Sequence, residues 1–505
     1  MPRAIFLLLP LLAGGVSALG FAPLDLWPLT LAGVAALIVM IERAATVRRA
    51  ALAGWLFGVG QFAVSLGWIA TAFTYQAALP AFMGWVTVVI LAMFLGAYPA
   101  AAAALARAWP GGRLSRPPAF AAAWMLTEWL RGHLLSGFAW NPLGAAWLEA
   151  GAMAQGAAWV GALGLSGLLV VAAGIAVVVG GATRRRTVPT VWSYIYPLVL
   201  ICLFAGASRP LLPSSAPLTG PLVHLIQPNL GQEYKYDDPV VHLETYLAQS
   251  RAALGPPPHR QSIVIWSESA VLDLVAEQPQ VRARLASILA SGDLLLFGGS
   301  ALIRNTDGSP ANATNSLYVL DSTGRLLDRY DKAHLVPLGE YVPARPLMSR
   351  LGLTRLTPGS IDFLPGPGPR TLALPGFPAA GVQICYEIIF PAMVVDEAHR
   401  PAWIVNISND AWFGAWGPPQ HLAQARMRAI EEGLPVARAT PTGISAVIDA
   451  HGRVVAQLPL HAAATLSQRM PPPLPPTPFG RFGHRTSLGL GLLLLAAAAA
   501  LRRRI

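Results

Sequence analysis

The chain has 505 residues, of which 54% are hydrophobic and 12% charged, and its formal net charge is +11. Soluble domains carry roughly a quarter charged residues, so this balance excludes an ordinary soluble protein over the whole length. It does not point to a nucleic-acid partner either. Arg43, Arg48, Arg49, Arg107, Arg113, Arg116, Arg184 to Arg186 and Arg502 to Arg504 all sit beside apolar runs, where arginine sets membrane orientation.

A helix that crosses a bilayer needs roughly 20 apolar residues. In chain order, spans are predicted near 5–21, 27–41, 51–73, 82–106, 119–135, 153–180 and 191–207, making residues 1–210 a multi-pass helical bundle. With Arg3 on the cytoplasmic side, the arginine-bearing connections after spans two, four and six all fall inside. The segment after span seven then lies outside. Loss of the first span as a signal peptide would leave this later topology unchanged. Within span five, Glu128 and Arg131 stand three apart on one helix face, placed either to pair with each other or to meet a substrate.

Residues 220–470 read as one globular, extracytoplasmic domain with mixed charge and short apolar strands. The Pro-rich run from Met470 to Pro478 opens a semi-rigid linker, residues 471–485, and residues 486–505 form a last span with a basic cytoplasmic tail. Of the two cysteines, Cys202 lies in span seven as an apolar filler, and Cys385 stands alone in the outer domain. An unpaired cysteine in an oxidising compartment is either buried and inert or a reactive thiol.

Three segments share one design, an apolar strand that ends in a polar tip. Ser262-Ile-Val-Ile-Trp-Ser-Glu268 presents a carboxylate. Tyr330-Asp-Lys332 presents an ammonium, with Glu340 eight residues on, and Val382-Gln-Ile-Cys385-Tyr-Glu387 presents a thiol held rigidly yet exposed. Lys332 is one of two lysines among 36 basic residues, which hints at a need for a compact ammonium rather than a guanidinium fork. Acyl transfer through sulfur asks for these types: a base that makes the thiolate, and a cation with backbone N–H groups at the oxyanion. His334, His421 and His451 show no metal-ligand spacing, so no metal or other cofactor is expected.

Trp266-Ser-Glu268, Lys332-Ala-His-Leu-Val-Pro-Leu-Gly-Glu340, Cys385-Tyr-Glu387 and Asn406-Ile-Ser-Asn-Asp-Ala-Trp-Phe-Gly414 together resemble the ordered signature of the nitrilase superfamily. With spans on both sides, the chain resembles its membrane-anchored branch, the bacterial apolipoprotein N-acyltransferases. The family often has Pro at the place of Ser267, Phe at Leu338 and Trp near Tyr236. The resemblance implies an α-β-β-α sandwich beside the membrane bundle, with Glu268 as general base, Lys332 as oxyanion partner and Cys385 as nucleophile. Glu340 and Glu387 would support Lys332, and the backbone N–H of Tyr386 would complete the oxyanion hole. It also implies a bacterial inner-membrane enzyme that moves an acyl chain from a phospholipid, typically phosphatidylethanolamine, through a thioester to the α-amine of a diacylglyceryl apolipoprotein. Tyr236, Trp412, Phe413 and Trp416 are candidate lipid contacts, the last three as an interfacial arm or as packing of the domain itself. The rivals are a membrane-tethered amidase that uses water as acceptor, a transporter with an outer binding module, and a scaffold with a silent enzyme domain.

Overall fold

The computed structural model describes residues 3–75, 80–185, 218–232, 237–350 and 361–502. The seventh predicted span with Cys202, the tail arginines Arg503 and Arg504, and Tyr236 lie outside these residues. The chain divides into two compact units: Met1–Ala70, Ala81–Leu212 and Pro476–Ile505 form one, Thr71–Pro80 and Pro213–Pro475 the other.

The first unit is helical. Helices cover Arg3–Ala18, Trp27–Arg43, Val47–Ser65, Phe82–Leu95, Ala97–Ala108, Arg116–His133, Ala157–Arg185 and His484–Arg502. In Trp27–Arg43 the buried side chains Val34, Leu37, Ile38 and Ile41 recur at helical spacing, giving one apolar stripe for the neighbouring helices. Arg3–Ala18 and Val47–Ser65 cross where both lack a side chain. A Cβ on Gly14 would lie 1.9 Å from the Phe57 carbonyl oxygen, and one on Gly60 would lie 2.0 Å from that of Leu11. Small residues that let backbones approach are the usual means of packing helices in lipid, where no hydrophobic gain drives association.

Among the described residues, three helical runs are long and apolar enough to cross a membrane, Phe82–Ala108, Gly151–Gly180 and His484–Arg502, and Val47–Ser65 with Ile69–Tyr75, bent by 53°, passes as a fourth when taken as one span. The predicted spans at 27–41 and 119–135 are helical but shorter or more charged, since Arg116–His133 carries Arg116, Glu128 and Arg131. Two arginine-bearing connections meet at one end of this unit. Arg107 donates to the Ala44 carbonyl at 2.8 Å, and Arg113 pairs with Glu42 at 3.2 Å.

The second unit contains two six-stranded sheets, ordered β12-β1-β2-β3-β4-β5 and β11-β10-β9-β8-β7-β6 among the described residues. The first holds β1 (Leu222–Gln227), β2 (Ile263–Ile265), β3 (Leu294–Arg304), β4 (Pro310–Asp321), β5 (Leu326–Asp331) and β12 (Ala464–Arg469). The second holds β6 (Thr371–Leu374), β7 (Phe377–Ile384), β8 (Trp403–Ile407), β9 (Val436–Ala439), β10 (Ala446–Ile448) and β11 (Val454–Gln457). Period-two alternation decides the layering. Leu225, Ile265, Leu296 and Val319 from the first sheet pack against Val382, Ile384, Val405 and Ala437 from the second, forming a dry centre. The opposite face of the first sheet, through Val264, Leu295 and Phe297, meets Tyr246 and Leu247 of the helix Pro239–Leu254 and Leu285 of Pro279–Ala286. Each such aliphatic residue, fully buried, contributes about 1.5–3 kcal/mol. The helix Gly417–Glu432 also belongs to this unit, and the layers match the predicted α-β-β-α order. The Pro-rich stretch is tied down at Leu474, whose N–H donates to the Gly433 carbonyl at 2.9 Å, and a short helix, Pro478–Phe482, follows it.

Candidate active site

Parallel pairing gathers the polar tips. β1, β2 and β3 run parallel through Leu225, Ile265 and Leu296, and β7, β8 and β9 run parallel through Ile384, Ile407 and Ala439. The residues that follow β2, β7 and β8 therefore leave the sandwich at carboxyl ends, where open α/β sheets place their ligands. Glu268 follows β2 in a turn that lies directly over β3. A Cβ on Gly298 would meet Ser269 N at 2.5 Å and the Glu268 Cα at 2.7 Å, so only glycine lets the carboxylate sit there.

Lys332, 1% exposed, is the first residue beyond β5, and its N–H donates to the Asn315 carbonyl at 2.8 Å. Its Nζ lies 3.0 Å from Glu340 Oε1 and 3.3 Å from Glu268 Oε1. Asn315, in β4, donates from Nδ2 to both of those oxygens, at 2.7 Å for Glu268 and 2.8 Å for Glu340. The second oxygens are engaged as well: Glu268 Oε2 accepts from Asn409 N at 2.8 Å, and Glu340 Oε2 accepts from Val336 N at 2.8 Å. Burial works against the charge on Lys332, yet the Glu268 and Glu340 carboxylates outweigh it and hold the ammonium well above the ordinary lysine range.

Cys385 stands at the end of β7 as the first residue of a 3-10 turn, Cys385–Ile389, with φ of +52°. A non-glycine residue in the left-handed region costs of the order of 1–3 kcal/mol and persists only where its surroundings impose it. The rigid placement expected for the thiol is present, but the expected exposure is not: Cys385 is 6% exposed. Burial pushes the thiol up and the Glu268 carboxylate pushes it further, with Lys332 pulling the other way. The sulfur therefore rests as a neutral thiol, not as a standing thiolate.

Glu340 touches Lys332, as the resemblance implies, whereas Glu387 works on the backbone. Its Oε1 accepts from Tyr330 Oη at 2.8 Å, Ala333 N at 2.6 Å and His334 N at 3.2 Å, and its Oε2 accepts from Ile384 N at 2.6 Å. One carboxyl thus joins the segment after Lys332 to the strand before Cys385. Burial pushes Glu387 up to about 7, against the pull of these donors. Tyr386 is 7% exposed, and its ring packs 5.1 Å from that of Phe390.

Several site residues carried no assignment from the sequence. Asn315 gave no signal beyond a polar residue inside a strand. Behind the sulfur, Asp410 accepts from Ser408 Oγ at 2.5 Å and from the Arg438 guanidinium, His421 Nδ1 lies 2.9 Å from Asp410, and His421 Nε2 faces the Cys385 carbonyl, which can only accept, at 3.1 Å. Cys385, Asp410 and His421 come within 4.8 Å of one another, a grouping that ligand spacing alone did not reveal. It does not fit a metal ion, because the carboxylate and both ring nitrogens already hold protein partners and Arg438 brings a positive charge. Burial favours the neutral form of Asp410, but Arg438 and His421 outweigh it and hold the group at about 2.

The three aromatic candidates separate. Phe413 packs on the sandwich core, the Trp412 ring meets Tyr75 edge-on at 5.7 Å, and Trp416 stays 37% exposed. Glu128 and Arg131 pair at 3.6 Å, both buried. Arg131 also donates to the Phe138 and Trp140 carbonyls at 2.9 and 2.7 Å, and Glu128 accepts from Leu143 N at 2.8 Å. The pair holds its own loop together.

Two family patterns match the chain: an apolipoprotein N-acyltransferase N-terminal domain over residues 13–175, and a carbon-nitrogen hydrolase over residues 256–472. The chain is 37% identical to the apolipoprotein N-acyltransferase of Rhodopseudomonas palustris, over 96% of this chain and 93% of that protein. It is 38% identical to the protein of the same name from Bradyrhizobium diazoefficiens, over 99% and 95% of the two lengths. A solved Nesterenkonia amidase of the nitrilase superfamily is 17% identical, covering 51% of this chain and 94% of its own, with a TM-score of 0.36.

Proposed function

The chain belongs to the apolipoprotein N-acyltransferase family, and from that premise we propose that it moves an acyl chain from a membrane phospholipid, through a thioester on Cys385, to the α-amine of a diacylglyceryl apolipoprotein. The observation that carries this reading is the buried thiol, held in a left-handed turn, within the field of Glu268 and Lys332.

Because the thiol rests neutral, proton removal accompanies attack. Glu268 takes the Sγ proton as sulfur adds to the ester carbonyl, with phosphatidylethanolamine as the donor and its sn-1 ester as the bond broken. The Lys332 ammonium and the Tyr386 N–H stabilise the oxyanion. Collapse expels the glyceryl alkoxide, which takes the proton from Glu268 and leaves as lysophospholipid. The thioester keeps the acyl group activated for the second half. The acceptor amine adds to the same carbonyl, Glu268 takes its proton, and the departing sulfur recovers one as the amide forms. Glu340 and Asn315 hold the base and the ammonium at fixed separation, and Glu387 holds the backbone of both.

The apolar helices anchor the chain in the bacterial inner membrane. Arginines at one end of the helical unit favour that end facing the cytoplasm, with the C-terminus inside and the catalytic unit outside, at the leaflet where both lipid substrates are anchored. Trp416 is the aromatic candidate best placed to meet an acyl chain.

The test is mass spectrometry of Cys385 after incubation with a defined phosphatidylethanolamine, followed by addition of a diacylglyceryl peptide. An acyl-sized mass on Cys385 that passes to the peptide amine is expected. Release of free fatty acid with no transfer to the amine would instead make the protein a hydrolase.

A further inference from the structure

The helix Gly417–Glu432 does more than cover the second sheet: it grips both ends of the turn that carries the sulfur. Near its start, His421, fully buried, donates from Nε2 to the Cys385 carbonyl at 3.1 Å. Two turns later on the same face, Arg428, also fully buried, donates to the Ile389 carbonyl at 3.0 Å. The His421 ring is itself fixed. Its Nδ1 faces Asp410 at 2.9 Å, and Asp410 is held in turn by Ser408 and Arg438.

The carbonyl that His421 grips belongs to the same peptide unit as the Tyr386 N–H. In a trans peptide the C=O and N–H point in opposite directions across one rigid plane. A donor on the carbonyl side therefore sets the direction of the N–H on the other side, and by polarising the amide strengthens it as a donor. At Cys385 this control matters more than elsewhere, because φ of +52° is a conformation that the chain does not hold by itself.

We propose that His421 is a positioning residue for acyl transfer: through the Cys385 carbonyl it orients and polarises the Cys385–Tyr386 peptide, so that the Tyr386 N–H meets the oxyanion. The inference rests on the reading of that N–H as an oxyanion donor. Asp410 and Arg438 serve the same end one step back, fixing the ring rather than touching substrate.

The experiment separates the two ring nitrogens. In His421→Gln the side-chain amide nitrogen takes the place of Nε2 and keeps the bond to the Cys385 carbonyl. In His421→Asn it takes the place of Nδ1 and keeps only the bond to Asp410. Acylation of Cys385 is followed in the full-length protein in detergent, with phosphatidylethanolamine and, separately, with the p-nitrophenyl ester of a fatty acid. The Asn variant is expected to acylate about 100-fold slower in kcat with KM within about threefold, and the Gln variant to stay within about tenfold of the parent. Infrared spectra of a carbon-13-labelled thioester should show the carbonyl stretch lowered from its value in detergent alone for the parent and Gln proteins, and not for Asn. Should Asn fail to fold, His421→Phe gives the same comparison without donors, and an unshifted stretch in the parent protein alone would overturn the proposal. Equal loss in Gln and Asn, or loss confined to KM, would also overturn it. Acylation by the ester but not by phospholipid would sink the donor assignment while leaving this comparison intact.

Discussion

Each unit of the molecule buries ionic contacts, and one from each, a pair and a cluster of three, serve different ends. Glu128 and Arg131 also bond to nearby backbone, at Phe138, Trp140 and Leu143, so the pair closes a loop. Glu268, Lys332 and Glu340 come from three separate segments and meet one another, with Asn315 bridging the carboxylates and a thiol inside their field. Both are buried, and both set carboxylate against cation. The partners separate a fastener from the cluster proposed to react, which is why perturbed charge alone is a weak guide to function.

The contrast can be broken at several points. The largest effect is expected from Cys385→Ala, which should abolish the acyl adduct in mass spectra; an adduct that persists there would end the assignment. Next come Glu268→Gln and Lys332→Met, each expected to slow acylation by about 10²–10³-fold per folded molecule. Normal acylation by either variant would remove that residue from the mechanism. Arg131→Leu leaves the Glu128 carboxylate buried without its cation and should cost about 3–5 kcal/mol in stability. Its acylation rate per folded molecule should match the parent, and a selective rate loss would mean that the fastener also handles substrate. The smallest effect concerns pH. Burial raises Glu387 and Glu432 to about 7, so the folded chain keeps protons that the unfolded chain releases near 4.5. Stability should therefore decline as pH rises from about 4.5 to about 7 and level off above. Melting temperatures that climb across this window would contradict that assignment.

Much of the proposed site was legible because its groups stand at the ends of strands, a pattern that survives in a linear reading. Glu268 and Cys385 each follow an apolar run, Lys332 follows the mixed, half-buried strand Leu326–Asp331, and the resemblance tied them together. The supporting residues were not legible for a physical reason: their roles depend on which strands lie side by side. Asn315 lies inside β4, far in sequence from both carboxylates that it bridges. For His421 the sequence offers only its spacing from other histidines, since nothing in its own helix announces that its ring ends on the Cys385 carbonyl. Burial of the sulfur was misjudged because a turn after a strand usually faces solvent, whereas this one is covered by the helix Gly417–Glu432. The helical unit was readable in its elements, less so in their details. The predicted span at 51–73 bends by 53°, and the run at 82–106 is assembled from two consecutive helices.

Glu387 has a consequence for anyone who wishes to alter this protein. Because a single carboxyl fastens the backbone on either side of the gap between ammonium and sulfur, those two groups cannot be tuned independently: a shift in one is carried to the other as a rigid displacement. Efforts to change acyl-chain preference therefore belong outside this fastened pair, and Trp416, the exposed aromatic proposed above as a lipid contact, is one such position.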